Sequence, residues 1–385
     1  MNRMRKKIDY ILKHNLIIQL LYKKIMSNFF KIMGLFVKID KEMIIFSGLS
    51  RNYNDSPRAI YEYMISKEEY SNFKYVWALE EPDKVDIPKC IKVKVDTWKY
   101  FMYTLKAKYW VTCVNIERGL NYKKEDTRYL NTWHGTPLKT IGNSAGRRKD
   151  FDFSSIDLFC CAGRYEKDIY IRDFNVLEKN ILFSGLPRND ELYNTTSDKV
   201  KQIRNKLKIP PDKKVILYAP TWRDSTDRGN SYSIKPPINS KYWKKQLSDK
   251  YVVLLRTHAY TNQLMGVEFD EFMQDYSRYS EINDLLIIAD ILISDYSATI
   301  FDYTILERPI ICFGYDYEQY KKDRGFYIDL DKELPGGVLK DEKEVLERIK
   351  TLDFEFESKK VAEFKKKYLE FGGSATEECV KKLLK

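Results

Sequence analysis

From Glu42 onward, short apolar runs bounded by turn residues alternate with helical stretches, and this alternation restricts the chain to a parallel α/β architecture. Runs at 43–46, 75–79, 91–95, 109–114, 129–133, 158–161 and 181–183 read as strands, with helices over 57–66, 98–107 and 165–174. A second series has strands at 215–218, 252–255, 291–293 and 310–313 and helices at 281–289 and 298–306. At 385 residues the chain is long for a single core, so two Rossmann-like doubly wound domains are expected, residues 42–205 and 206–385. Their boundary falls near 197–211, a polar segment ending in Pro210-Pro211. Residues 340–385 read as helices, and a tail of this kind is expected to pack back across the first domain.

The net charge of +11 is unevenly placed. Met1 to Lys41 holds ten Lys and Arg against Asp9 and Asp40, a net of +8, which leaves +3 on the remaining 344 residues. A nearly neutral body argues against nucleic-acid binding by the protein as a whole. Within 1–41, Ile18, Tyr22, Ile25, Phe29, Ile32 and Phe36 recur at helical spacing, and Lys13, Lys24, Lys31 and Lys38 fall on roughly the opposite side. Lys23, Lys24 and Lys31 interrupt every apolar run, so this is not a membrane span of about 20 apolar residues. Nor does a small-residue cleavage site mark a signal peptide. A basic amphipathic helix or helix pair on an anionic membrane surface is expected, lysines at the headgroups and Phe29 and Phe36 on the apolar side. A helix packed on the core with solvated lysines is the plainer alternative. The six cysteines (Cys90, Cys113, Cys160, Cys161, Cys312, Cys379) lack ligand spacing and mostly sit in apolar runs, so they read as reduced core thiols.

Chemistry-bearing residues collect in four loops that each follow a strand, where open α/β sheets place their ligands. They are His134-Gly135-Thr136-Pro137-Leu138-Lys139, Ala219-Pro220-Thr221-Trp222-Arg223-Asp224, Arg256-Thr257-His258 and Ser294-Asp295-Tyr296-Ser297-Ala298-Thr299. One comes from the first domain and three from the second, as the lining of an interdomain cleft would. The chain has three histidines, and two of them, His134 and His258, lie in these loops. Imidazole takes a proton near neutral pH, which activation of a hydroxyl nucleophile requires. The loop at 294–299 opens a helix whose N–H groups, with Ser297 and Thr299, suit a phosphate; plain capping by Ser297 reads equally well. Arg256 and His258 make a second donor-rich spot, and together the two suit a pyrophosphate. No Gly-x-Gly-x-x-Gly or Walker-type loop is present, which counts against nicotinamide cofactors and ATP hydrolysis. No clustered His and carboxylate set marks a metal site, so side chains and the helix end are left to stabilise the leaving phosphate.

At these loops the chain resembles the CDP-glycerol glycerophosphotransferase family, the teichoic acid primases and polymerases of Gram-positive bacteria. The matching segments are Asn131 to Lys139, Gly185-Leu186-Pro187-Arg188-Asn189-Asp190, Tyr218 to Arg223, Arg256-Thr257-His258, Ser294-Asp295-Tyr296-Ser297, Phe301-Asp302 and Arg308-Pro309. Asp316, Tyr320, Arg324-Gly325 and Tyr327 fit as well, so the likeness runs from about Ile44 to Asp329. Two departures stand out: Ala298, where a second Ser is common, and Ala259, where Pro is common.

The resemblance implies a GT-B fold whose second domain holds a CDP-glycerol or CDP-ribitol donor, with no tightly bound cofactor or metal. It implies a peripheral protein at the cytoplasmic face of the membrane, acting on an undecaprenyl-linked saccharide acceptor. His134 would be the general base for attack on the donor's β-phosphorus, expelling CMP. His258 and Arg256, with Ser294, Ser297 and Thr299, would hold the pyrophosphate, and Pro220, Thr221, Trp222 and Arg223 would lie along the nucleotide. Gly135, Thr136, Lys139, Arg188, Asp190, Asp295, Asp302, Asp316 and Arg324 are further candidates, with pairing to a neighbouring base as the alternative role for Asp302. The short length suggests a primase-like transferase of glycerol phosphate; a ribitol-phosphate transferase or a short polymerase are alternatives. Rival readings are a GT-B enzyme using a nucleotide sugar and a non-catalytic basic membrane-binding module.

Overall fold

Parallel strands need crossovers, and the chain supplies them in sequence order. The structure, a computed structural model, describes residues 15–145, 151–221, 238–257 and 267–385. A first helix, α1 (Leu16–Phe36), leads into β1 (Asp40–Ser47), α2 (Asp55–Ile65), β2 (Lys74–Leu79), β3 (Cys90–Lys94), α3 (Trp98–Lys106), β4 (Ala107–Thr112), β5 (Arg128–Asn131), β6 (Leu158–Cys161), α4 (Arg164–Phe174) and β7 (Ile181–Phe183). The second half follows as α5 (Ser197–Lys206), β8 (Lys214–Ala219), α6 (Ser240–Leu247), β9 (Tyr251–Leu255), β10 (Met273–Asp275), α7 (Ile282–Ile288), β11 (Ile291–Ser294), α8 (Thr299–Thr304), β12 (Ile310–Phe313), α9 (Tyr317–Arg324) and β13 (Val338–Leu339). Helices α10 (Glu342–Lys350), α11 (Phe354–Tyr368) and α12 (Ala375–Leu384) close the chain.

The two sheets share one plan. Their strand orders are β3-β2-β1-β4-β5-β6-β7 and β10-β9-β8-β11-β12-β13. The central pairs are parallel, with Ile45 opposite Trp110 in the first sheet and Ile293 opposite Tyr218 in the second. In each sheet the order reverses at the middle, between β1 and β4 and between β8 and β11. Crevices open at such reversals, beyond the carboxyl ends of the strands. The fold is a pair of Rossmann-like domains of GT-B type, as the sequence implies.

Three local differences from the sequence reading have physical causes. Strands β4 and β5 end at Thr112 and Asn131 instead of running through Val114 and Trp133, because the chain turns sharply there and Trp133 takes a left-handed φ of 52°. The segment read as a polar boundary is helical. Thr196 caps α5 by accepting from Lys199 N, and Ile203 is buried against the second domain's core. Helix α8 is six residues long, shorter than the stretch 298–306 suggests.

The tail packs where it was expected to. Cys379, Val380 and Leu383 of α12 are fully buried with Ile44, Phe46, Trp77 and Leu130 of the first sheet. A cut at residues 205/206 therefore separates the sheets but not all the residues that pack on them.

Helix α1 packs one face on the core, as in the plainer reading of the N-terminus, and leaves an apolar face exposed. Phe30 is buried and stacks on Phe101 at 4.3 Å, beside Tyr122, while Met26, Met33 and Val37 pack partly against the same core. The outward face exposes Ile18, Leu21, Tyr22, Ile25, Phe29, Ile32, Leu35 and Phe36. Lys24, Lys31 and Lys38 are exposed as well. No described helix is long and apolar enough to cross a membrane. Lys13 lies outside the described residues.

Candidate active site

The His134 loop is built by a short-range lock. Asn131, the last residue of β5, accepts from Trp133 N through Oδ1 and donates from Nδ2 to Val114 O, each at 2.8 Å. This holds Trp133 in its left-handed turn, a conformation that costs about 1–3 kcal/mol for a bulky residue and persists only when the surroundings fix it. The buried indole lies against Phe174 at 4.6 Å and places its ring 3.9 Å from the His134 ring. Gly135 follows at φ 145°, and a Cβ there would stand 2.8 Å from the Ala298 Cβ of the second domain. Glycine is needed because the two domains meet at this point.

His134 Nδ1 lies 2.8 Å from the Cys113 carbonyl oxygen. A carbonyl only accepts, so Nδ1 carries the proton and Nε2 presents its lone pair, the tautomer a general base needs. Burial pulls the imidazole's pKa below the ordinary histidine value; the Cys113 carbonyl and Asp55 oppose that shift, and Arg188 adds to it. The ring is therefore neutral at physiological pH.

Arg188 ties the loop to its surroundings. Its Nη1 donates to Asp55 Oδ2 at 2.9 Å and its Nη2 to Asp302 Oδ2 at 2.7 Å, so one guanidinium bridges the first domain and α8 of the second. Asn189 donates to the other Asp302 oxygen at 2.7 Å. Asp302 is thus the partner of a neighbouring base, as its position allowed. The buried Nε of Arg188 has no hydrogen-bond acceptor among the described residues.

Across the cleft, Asp295 organises the ends of β8 and β11. Its Oδ1 accepts from Thr221 N at 2.7 Å and from Tyr296 N at 2.6 Å. Ser294 donates to Ala219 O at 2.7 Å, so its hydroxyl holds strands together beside Pro220. Ser297 Oγ accepts from Thr299 N at 3.2 Å and donates to Thr299 Oγ1 at 2.9 Å, bracing the turn into α8; the N-cap position itself is Ala298, not Ser297 as the sequence suggests. Tyr296 donates to Asp316 at 2.8 Å. Arg256 is half-buried, its Nη1 donating to the Tyr276 and Tyr279 carbonyls. Trp222, Arg223 and His258 lie outside the described residues.

The remaining candidates serve chiefly to join parts. Lys139 forms an antiparallel bridge with Phe326, and Tyr327 N donates to Leu138 O at 3.0 Å. The Thr140 hydroxyl donates to the Arg324 carbonyl, so residues 138–140 and 324–327 stitch the two domains. Asp190 accepts from Ala375 N and Thr376 N at 2.9 and 2.7 Å, which caps α12; its carboxylate is taken up by that task. Thr136 is buried over Glu166, whose carboxyl is pushed up to about 7 by burial, against the pull of Thr136 and the Ala162 N–H.

Sequence reasoning missed Asp55 and Glu166. Asp55 had a signal: Asn52-Tyr53-Asn54-Asp55-Ser56-Pro57 is a turn-rich stretch just after β1, at the point of strand-order reversal. Glu166 had none, since a carboxylate in an amphipathic helix reads as solvated.

The family model for CDP-glycerol:poly(glycerophosphate) glycerophosphotransferases matches residues 29–385. The chain belongs to this family. It is 34% identical to the teichoic acid glycerol-phosphate transferase of Staphylococcus aureus over 82% of its own length and 85% of that protein. It is 36% identical to the teichoic acid poly(glycerol phosphate) polymerase of Staphylococcus epidermidis, over 82% of this chain but 46% of the polymerase, so it spans about half of that relative. Among solved structures, the wall teichoic acid polymerase TagF superposes with a TM-score of 0.82 at 31% identity, covering 100% of this chain and 97% of the other. A variant of TagF soaked with CDPG matches equally well, with a TM-score of 0.82. Within this glycerophosphotransferase family, then, the paired sheets are those of a GT-B protein, and the His134 loop and the Arg188 bridge lie where its two domains touch.

Proposed function

We propose that the chain transfers glycerol phosphate from CDP-glycerol to a hydroxyl of an undecaprenyl-linked saccharide in teichoic acid biosynthesis, releasing CMP. The observation that carries this reading is the state of His134: Nδ1–H anchored on the Cys113 carbonyl, pKa depressed by burial, Nε2 left as acceptor. The acceptor hydroxyl gives its proton to Nε2 as its oxygen attacks the donor's β-phosphorus. The P–O bond to CMP breaks in line, and CMP leaves as the anion. Asp55 steadies the imidazolium that forms, and Arg188 hastens loss of its proton. On the donor side, the Thr299 hydroxyl, aligned by Ser297, and the Arg188 Nε–H, which has no acceptor among the described residues, supply donors for phosphate oxygens. Pro220 and Thr221, with Trp222 and Arg223 next to them, are assigned to the nucleotide, and Arg256 and His258 to the pyrophosphate.

The exposed apolar face of α1, flanked by Lys24, Lys31 and Lys38, supports residence on the cytoplasmic face of an anionic membrane, where a lipid-borne acceptor lies. Incubation with CDP-glycerol, CDP-ribitol or a nucleotide sugar and a lipid-linked saccharide, followed by release of the nucleotide, tests the assignment. CMP release from CDP-glycerol is expected, and turnover with a nucleotide sugar alone would sink it. His134→Ala should lower turnover by about 10²–10⁴ with donor affinity nearly unchanged; wild-type turnover would remove His134 from this role.

A further inference from the structure

The carbonyl that fixes His134 has a support of its own. Cys113 lies in the segment that leaves β4, where the order of the first sheet reverses between β1 and β4. Its neighbours are held one by one. Val114 N donates to the Thr112 hydroxyl at 3.1 Å, Asn131 donates to Val114 O at 2.8 Å, and Ile116 N donates to Tyr129 OH at 3.0 Å. Asn115 is held by Arg51, from the turn that follows β1. The Nη1 of Arg51 donates to the Asn115 carbonyl at 2.6 Å, and its Nη2 donates to the Asn115 Oδ1 at 2.9 Å. Nη1 also donates to Ser47 Oγ, at the end of β1, at 3.2 Å. A planar fork meets two acceptors of one residue at once, which the single ammonium of a lysine does not.

Two features mark Arg51 as more than a turn residue. The first is its burial as a charge: it is 9% exposed, and among the described residues its side chain bonds to neutral oxygens and to no carboxylate. Asp96, the acid that attracts it, is engaged by both prongs of Arg118 at 2.7 and 2.8 Å. Burying a cation without an acid partner is costly. The second is its backbone. Ser50 and Arg51 take consecutive left-handed φ values of 52° and 61°, and neither is glycine. Each such residue costs about 1–3 kcal/mol and persists only where the surroundings fix it. Here the Arg51 carbonyl accepts from Glu80 N at 3.0 Å, which pins the turn to the chain leaving β2. Strain and buried charge thus meet at one residue, and what its side chain holds is the end of β1 and the residue two positions beyond Cys113.

We propose that Arg51 is a positioning residue for the transfer: it holds the segment 113–115 so that the Cys113 carbonyl keeps the proton on His134 Nδ1 and the lone pair on Nε2. The proposal rests on the transferase reading above and adds a residue that acts through the Cys113 carbonyl. Arg51→Lys tests it, because lysine keeps the charge and loses the fork. In the full-length protein the change is expected to lower kcat for CMP release from CDP-glycerol by about tenfold to a hundredfold, the effect of slightly misplacing a catalytic group. CDP-glycerol affinity, measured by calorimetry, should stay the same. Burial lowers the His134 pKa and the Cys113 carbonyl opposes it. A loosened carbonyl should therefore move the acid limb of kcat/KM to lower pH, while Asp55 and Arg188, the charged groups that face the imidazole, are unaltered. Arg118→Ala is the control: it removes a half-exposed ion pair with Asp96 from the same segment and should leave kcat unchanged. Wild-type kcat or an unmoved acid limb in Arg51→Lys, a loss confined to CDP-glycerol affinity, an equal loss in Arg118→Ala, or failure of Arg51→Lys to fold would each overturn the proposal and leave the transferase reading standing. Absence of CMP release by wild type would overturn that reading and this one with it.

Discussion

Replacing Arg188 with methionine asks whether one guanidinium both joins the domains and sets the protonation of His134. Methionine keeps most of the aliphatic volume and removes the charge. In the folded protein the side chains of Asp55 and Asp302 are 4% and 10% exposed, with Arg188 at 17%, so these are buried pairs. Breaking such a pair by removing one partner leaves uncompensated buried charge and costs about 3–5 kcal/mol. That is a large part of the roughly 5–15 kcal/mol that holds a domain folded. Denaturant unfolding should show the loss, and adding Asp302→Asn should recover part of it, because the orphaned carboxylate is then gone. The second readout is kinetic. Arg188 lowers the His134 pKa and Asp55 raises it. The base must be neutral to act, so activity falls as pH drops through its pKa. Arg188→Met should therefore move the acid limb of kcat/KM to higher pH, and Asp55→Asn should move it to lower pH. If the limb stays in place in both variants while the proteins remain folded, His134 is not the titrating base, and the electrostatic account of the site fails.

Glu166 and α1 give two further expectations. The Glu166 carboxyl is raised to about 7 in the folded protein against an ordinary value of 4.5. Between these values the folded state holds a proton that the unfolded state has released. Stability should fall as pH rises through that window, by about 3 kcal/mol at most, and Glu166→Gln should flatten this dependence in denaturant titrations from pH 5 to 8. On α1, Leu35 and Phe36 are each 81% exposed, so Leu35→Glu with Phe36→Glu should leave the unfolding transition unchanged but release the protein from anionic vesicles in sedimentation. Deletion of the helix is a worse test, because it also removes Phe30 from the core.

Most of the architecture was legible because parallel strands announce themselves. Residues 291–293 and 310–313 are continuous apolar runs that can be little else, and both sheets follow from such runs. Helix α5 was not legible as structure, since Val200, Ile203 and Leu207 are spread among lysines and asparagines that look like a linker. The His134 loop was legible because histidine is rare in this chain. What each polar residue does there was not, because it depends on partners distant in sequence. Asp190 looks like a ligand-binding acid until Ala375 and Thr376 are seen on it, and Asp55 looks like a turn residue until Arg188 is. The reading of 294–299 put a longer helix behind the hydroxyls than the six residues that form there.

The packing of α12 has a consequence for how the protein is made. The first sheet is translated early, but one of its faces is closed by Cys379, Val380 and Leu383, which are made only after the whole second sheet. Until then, Ile44, Phe46 and Trp77 lack part of their cover, so the amino-terminal domain reaches its final state only after the carboxy-terminal domain has been synthesised. Loss of α12 would thus injure the first domain, the one that carries His134.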